Sequence, residues 1–145
     1  MGKTTGTANL AMTLARKGHS VVAVDCDLES RCLDMVLGLE NDSLYNIADA
    51  LSGRCSIDEA LIVDSRCEKL SFISAPAGIT DKDSEEFAET FSAQNVDNFI
   101  EGLSEKFEYI LFDLPAHPDR KHESLQNFAW VAKTWFIPII WAVSA

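Results

Sequence analysis

Two short apolar runs in this sequence each end in an aspartate. Residues 21–24 are Val-Val-Ala-Val and are followed by Asp25. Residues 109–112 are Tyr-Ile-Leu-Phe and are followed by Asp113. Neither run alternates polar with apolar residues. Each therefore suits a strand covered on both faces, as in a parallel sheet. Strands of this kind alternate with amphipathic stretches along the chain. That order predicts an α/β fold with a mostly parallel sheet flanked by helices. Ligands in such folds sit beyond the carboxyl ends of the strands. Asp25 and Asp113, far apart in sequence, are thereby directed to one edge.

The remaining segments fit the same plan. Residues 4–17 read as a helix in which Leu10 and Leu14 share a face. Ala8, Ala11 and Ala15 permit close packing there, and Gly18 ends the helix. Residues 33–37, 45–51 and 57–61 read as short helices, and 70–74 as a strand. Residues 84–91 and 96–107 read as helices, the second carrying a stripe of Val96, Phe99, Ile100 and Leu103. Residues 124–132 are expected to be helical, and 135–143 to form a closing strand. The apolar stretch 128–143 is interrupted by Lys133 and Pro138 and is short for a bilayer, so it reads as a buried helix end and strand.

A length of 145 residues with 47% hydrophobic content excludes a disordered chain and suits a single domain with a sizeable core. The net charge of -11 argues against a bare nucleic-acid or anionic-membrane surface. Cys26, Cys32, Cys55 and Cys67 form no C-x-x-C pair, and His19, His117 and His122 are scattered. Reduced thiols in a cytoplasmic protein are the plain expectation. Residues 1–7 have no apolar core of the kind that marks a signal peptide.

Three elements carry chemistry. Gly2-Lys3-Thr4-Thr5 opens the first helix. Unpaired backbone N–H groups and the helix dipole favour an anion at that point. Lys3 is placed to reach outer phosphates, and the Thr4 hydroxyl to ligate Mg²⁺. A capped helix start with an exposed lysine is the bland alternative for this tetrapeptide alone. Asp25-Cys26-Asp27 is the second element. Two acids beyond a strand are solvated, paired or bound to a cation. Mg²⁺ binding and a solvated turn with Asp27 capping the next helix stand equal at this point. Asp113-Leu114-Pro115-Ala116 is the third. A strand ending in Asp near a phosphate loop matches a Walker B acid, which holds Mg²⁺ or its water. The three in this order are far less common than any one of them. A flavin- or dinucleotide-binding domain lacks support, because no G-x-G-x-x-G occurs.

On these residues the sequence resembles the MinD/ParA family of deviant Walker-type P-loop ATPases, of SIMIBI type. Thr7-Ala8-Asn9-Leu10, Leu33-Asp34, residues 37–41, 53–56, 59–62 and 80–83 extend the similarity over nearly the whole chain. The stretch 37–62 is nearer the MinD branch. The resemblance implies a division of labour. Gly2, Lys3, Thr4 and Thr5 would bind the phosphates of ATP. Thr4, Asp25 and Asp113 would hold Mg²⁺. Lys3 and Asp27 would act catalytically, Asp27 by positioning the attacking water. ATP would hold two subunits together, in a homodimer or a pair with an intact relative, and hydrolysis would release them. An activating protein partner is implied as well.

The sequence also departs from the family. The family loop reads K-G-G-x-G-K-T-T, and this chain begins at its last Gly, with Met1 in the variable place. The signature Lys and the strand before the loop, a central one, are absent from residues 1–145. Residues 29–34 and His117-Pro118 differ from the family's switch segments. The expectation is one partial P-loop ATPase domain with its first strand missing and with weak or no hydrolysis. It would be an ATP-dependent dimerisation switch in spatial positioning, such as division-site placement. A catalytically impaired member acting as a binding or regulatory partner is the alternative. No direct nucleic-acid binding is expected, and the family's membrane helix lies outside this sequence.

Overall fold

The computed structural model describes residues 2–28, 31–39, 44–77, 85–114 and 139–142. The elements run α1 (Lys3–Arg16), β1 (Val21–Asp25), α2 (Leu33–Leu37), α3 (Ile47–Ser52), α4 (Ile57–Ala60) and β2 (Ile62–Val63). Then come β3 (Leu70–Ile73), α5 (Glu85–Thr90), α6 (Ala93–Ser104), β4 (Tyr109–Asp113) and β5 (Ile139–Ala142). The sheet order is β2-β3-β1-β4-β5. β1 pairs in parallel with β3 and β4, and β4 in parallel with β5, whereas β2 runs antiparallel to β3.

The strand chemistry follows from burial on both faces. All five residues of β1 and all four of β3 are buried. Val21 and Ala23 face a layer built from α1 and α2, with Ala8, Ala11, Ala15, Leu33 and Leu37. Val22 and Val24 face a larger layer containing Ile47, Phe91, Phe99, Ile100 and Leu103. The small residues of α1 form its buried face, and Leu10 and Leu14 flank it half-buried. Gly18 follows the C-cap at φ 97°, a conformation L side chains rarely adopt, and its N–H donates to the Ala15 carbonyl. The expected stripe of α6 is buried throughout.

At the amino edge, β1 and β4 start together. The Ser20 carbonyl accepts from the N–H groups of Glu108 and Tyr109, and the Glu108 carboxylate accepts from Ser20 N at 2.8 Å. Donation from Ser20, with His19 beside it, holds the Glu108 carboxyl below its usual range. Two capping boxes start short helices. Asn46 Oδ1 accepts from Ala48 and Asp49, with Asp49 returning to Asn46 N, and Ser56 exchanges bonds with Glu59 in the same way.

Sequence reading located the described elements within a few residues. It missed β2, a two-residue antiparallel edge strand too short to give any periodicity. β4 is paired on both sides, with β1 and with β5. The helix expected at 124–132 and most of 128–143 lie outside the described residues. Among the described residues no helix is long and apolar enough to cross a membrane.

Ile100 is fully buried in the larger layer. Ile100→Ala is expected to lower unfolding free energy by about 2–5 kcal/mol. Urea denaturation followed by circular dichroism measures this, with the exposed Val36→Ala as the near-neutral control.

Candidate functional site

The amino end of α1 reaches the carboxyl edge of the sheet. The helix turns into β1 through a tight connection in which His19 N donates to the Leu14 carbonyl at 3.2 Å. It then packs back along β1 and β4. Its fourteen residues span about 21 Å. Five-residue β1 spans about 17 Å. The first turn of α1 therefore lies beside the strand ends.

That turn is left open for an acceptor. Gly2 is the N-cap at φ 92°, no side chain caps the helix, and no acid lies in the first turn. A Cβ on Gly2 would meet nothing within 4 Å, so its need for glycine is conformational rather than steric. Gly2 and Thr5 are exposed and Thr4 is half-buried, while the Lys3 backbone is helical. Thr7 continues the same helix into the core, 3% exposed.

Asp25 and Asp113 are register partners on adjacent parallel strands, and each is 1% exposed. Cys26 N donates to the Asp113 carbonyl at 2.9 Å, extending the ladder past both acids. Asp25 Oδ1 accepts from Asp27 N at 2.9 Å, and its Oδ2 accepts from Leu33 N at 3.3 Å. One carboxylate thus ties down the turn after β1 and the first residue of α2. Burial raises the Asp25 pKa from 3.8 to about 7. The backbone bond from Asp27 opposes this, and the negative charge of Asp113 adds to it. Burial and the same acids push the Cys26 thiol well up, which leaves it unreactive as a nucleophile.

The sequence residues converge in part. Gly2, Lys3, Thr4 and Thr5 form one turn, and Asp25 and Asp113 form one buried pair at the same edge. Asp27 is half-buried beside them. It does not cap the following helix, because Cys32 holds the N-cap position of α2. Residues 29–30 and 115–118 lie outside the described residues.

Two buried carboxylates side by side are a site of unbalanced negative charge, and a divalent cation balances it. Mg²⁺ takes one or two protein carboxylates and completes its octahedron with water and phosphate. The donor set therefore fits Mg²⁺ bound together with a phosphate ligand. It does not fit an all-protein cage. Among the described residues no group of three or more His, Cys, Asp or Glu side chains gathers to hold a metal.

Sequence reasoning missed the backbone of Leu33 as a partner of Asp25. The signal was faint: a polar side chain at a strand end often binds an amide a few residues on. It also missed Asp64 and Arg66, which bond each other, with Arg66 also donating to the Leu37 carbonyl at the end of α2.

An uncapped, glycine-led helix start beside acids that end parallel strands defines a P-loop nucleotide-binding protein. The family model described as an AAA domain matches residues 1–141, and the chain belongs to that family, among the MinD/ParA-type P-loop ATPases. It is 42% identical over 120 residues to the putative septum site-determining protein MinD of Tupiella akineta, covering 82% of this chain and 37% of that protein. The fold is similar to MinD in the MinC:MinD cell division complex of Aquifex aeolicus. The TM-score is 0.71 at 31% identity, over 90% of this chain and 48% of that one. It is also similar to the Pyrococcus horikoshii septum site-determining protein MinD complexed with Mg-ADP. There the TM-score is 0.68 at 25% identity, over 95% of this chain and 62% of that one. The chain thus spans between 37% and 62% of the length of these relatives.

The raised Asp25 pKa sets a pH dependence. The native chain holds a proton that the unfolded chain has already released. Asp25 therefore contributes stability that is complete below about pH 4 and is lost as pH rises through about 7. In metal-free buffer, carboxyl NMR titration is expected to place the Asp25 midpoint near 7. Asp113→Asn, or millimolar Mg²⁺, is expected to move it down, because either one relieves the like-charge repulsion. A midpoint that stays near the ordinary 3.8 contradicts this.

Proposed function

We propose that this chain is part of an ATP-binding switch of the MinD/ParA type, acting in division-site placement. The observation that carries the reading is the buried Asp25–Asp113 pair at the sheet edge reached by the open first turn of α1. Similarity to septum site-determining proteins supports the process, and the relative complexed with Mg-ADP supports the ligand class.

In this reading the backbone N–H groups of Gly2, Lys3, Thr4 and Thr5 cradle the phosphate chain, and Lys3 neutralises its outer oxygens. Thr4, Asp25 and Asp113 hold Mg²⁺, which supplies charge neutralisation at the phosphates. Asp27 accepts a hydrogen bond from the attacking water and aligns it. Asp25 fixes the turn that carries Asp27, through the bond from Asp27 N. Mg²⁺ occupancy at Asp25 therefore bears directly on where Asp27 sits. A second subunit, whether a copy or an intact relative, completes the switch, and a protein partner stimulates release. Residues 1–145 act as one partial P-loop domain of a cytoplasmic protein.

Titration calorimetry with Mg·ATP tests this. The full chain is expected to bind, and Lys3→Ala is expected to weaken binding at least about tenfold, the loss of a charge-assisted phosphate contact. Asp27→Ala is expected to leave binding intact and remove any turnover. Binding without turnover in the unaltered chain favours an impaired member that acts as a binding partner. No binding of Mg·ATP overturns the reading.

A further inference from the structure

The helix α2 is five residues long, too short to hold itself together. Its N-cap, Cys32, makes no side-chain cap hydrogen bond. Leu33 and Leu37 are buried, while Met35 and Val36 are exposed. Besides the burial of Leu33 and Leu37 in the layer with α1, a hydrogen-bond tether holds it at each end. At the start, Leu33 N donates to Asp25 Oδ2. At the finish, Arg66 Nη2 donates to the Leu37 carbonyl.

Arg66 belongs to the turn between β2 and β3, and its own position is tightly set. Its Nε donates to Asp64 Oδ1 at 2.9 Å and its Nη2 to Asp64 Oδ2 at 2.6 Å, a two-pronged fork. Arg66 N also donates to Asp64 Oδ1, at 2.8 Å. The Asp64 side chain is fully buried, and donation from the guanidinium holds its carboxyl below the usual range. The turn is closed by Asp64 N to the Leu70 carbonyl and by Cys67 N to the Asp64 carbonyl. Leu70 is the first residue of β3, which lies beside β1 in register. The donor at the end of α2 is thus built on the sheet itself.

We propose that Arg66, locked in its fork by Asp64, is a positioning residue for the nucleotide site. It holds the far end of α2 so that the Leu33 amide stays on the Asp25 carboxylate. The proposal rests on the nucleotide reading of Asp25 and extends the site to the β2–β3 turn. A lysine at 66 lacks the planar fork that pairs two-pronged with Asp64 while reaching the Leu37 carbonyl, so Arg and Lys are not equivalent here.

Hydrogen exchange on the nucleotide-free full chain is the first test. R66A is expected to raise exchange of amides 33–39 at least about tenfold, the loss of one charge-assisted bond, with amides of β1 and α6 unchanged. R66K is expected to fall between R66A and the unaltered chain. R66A takes the guanidinium away from the buried Asp64 carboxylate, so D64N/R66A is measured beside it and is expected to loosen the same amides. The second test is binding of a fluorescent ADP analogue with and without Mg²⁺. R66A is expected to cut the Mg²⁺-dependent gain in affinity about tenfold and to leave the Mg²⁺-free affinity unchanged. Unchanged exchange at 33–39 overturns the proposal. So does a uniform rise in exchange with equal loss of both affinities, which marks a merely structural residue. If the unaltered chain binds no nucleotide, the nucleotide reading fails. Localised loosening of 33–39 would still establish that Arg66 holds α2.

Discussion

Asp25 and Asp113 sit side by side on adjacent parallel strands, each almost entirely out of water. Two like charges in that position oppose folding, and the rest of the site is arranged around that cost. One acid accepts two backbone N–H groups, which order the turn after β1 and the start of α2. The same burial raises its proton affinity to about neutral pH. Below about pH 7 a proton on Asp25 relieves the negative charge of the pair.

The scaffold explains why those acids meet. β1 and β4 are held in register by the Ser20–Glu108 bonds at one end, so their last residues coincide at the other. The alanine face of α1 lets that helix lie close to the sheet. Its length then brings Gly2 to Thr5 to the same edge. The short helix α2 spans the gap from Asp25 to the β2–β3 turn, where Arg66 receives it. Small residues, a helix length and one arginine fork together set the geometry that the acids need.

Much of the fold was legible because its signals are local. Apolar runs without alternation marked β1 and β4, and the 3-4 spacing of Val96, Phe99, Ile100 and Leu103 marked α6. Gly18 marked the end of α1. β2 was not legible, since two residues have no period. The pairing of β4 on both sides was not legible either. Pairing depends on which distant segment lies alongside, and nothing in residues 109–113 encodes that. Of the site, Asp25, Asp113 and the Gly2–Thr5 turn were legible through their place in the alternation of strands and helices.

The sequence alone determined the alternating α/β plan, the open glycine-led helix start and two acids directed to one edge. Chain-local propensity and the polarity of parallel strands suffice for these. Only the tertiary structure decided that Asp25 and Asp113 are register partners in full burial, and hence that their charges interact. It also decided that Asp25 holds the Leu33 amide rather than water, that Asp27 leaves the helix cap to Cys32, and that Arg66 closes α2 from another turn. These depend on distances between segments remote in sequence, which packing of the sheet layers fixes and no local pattern records.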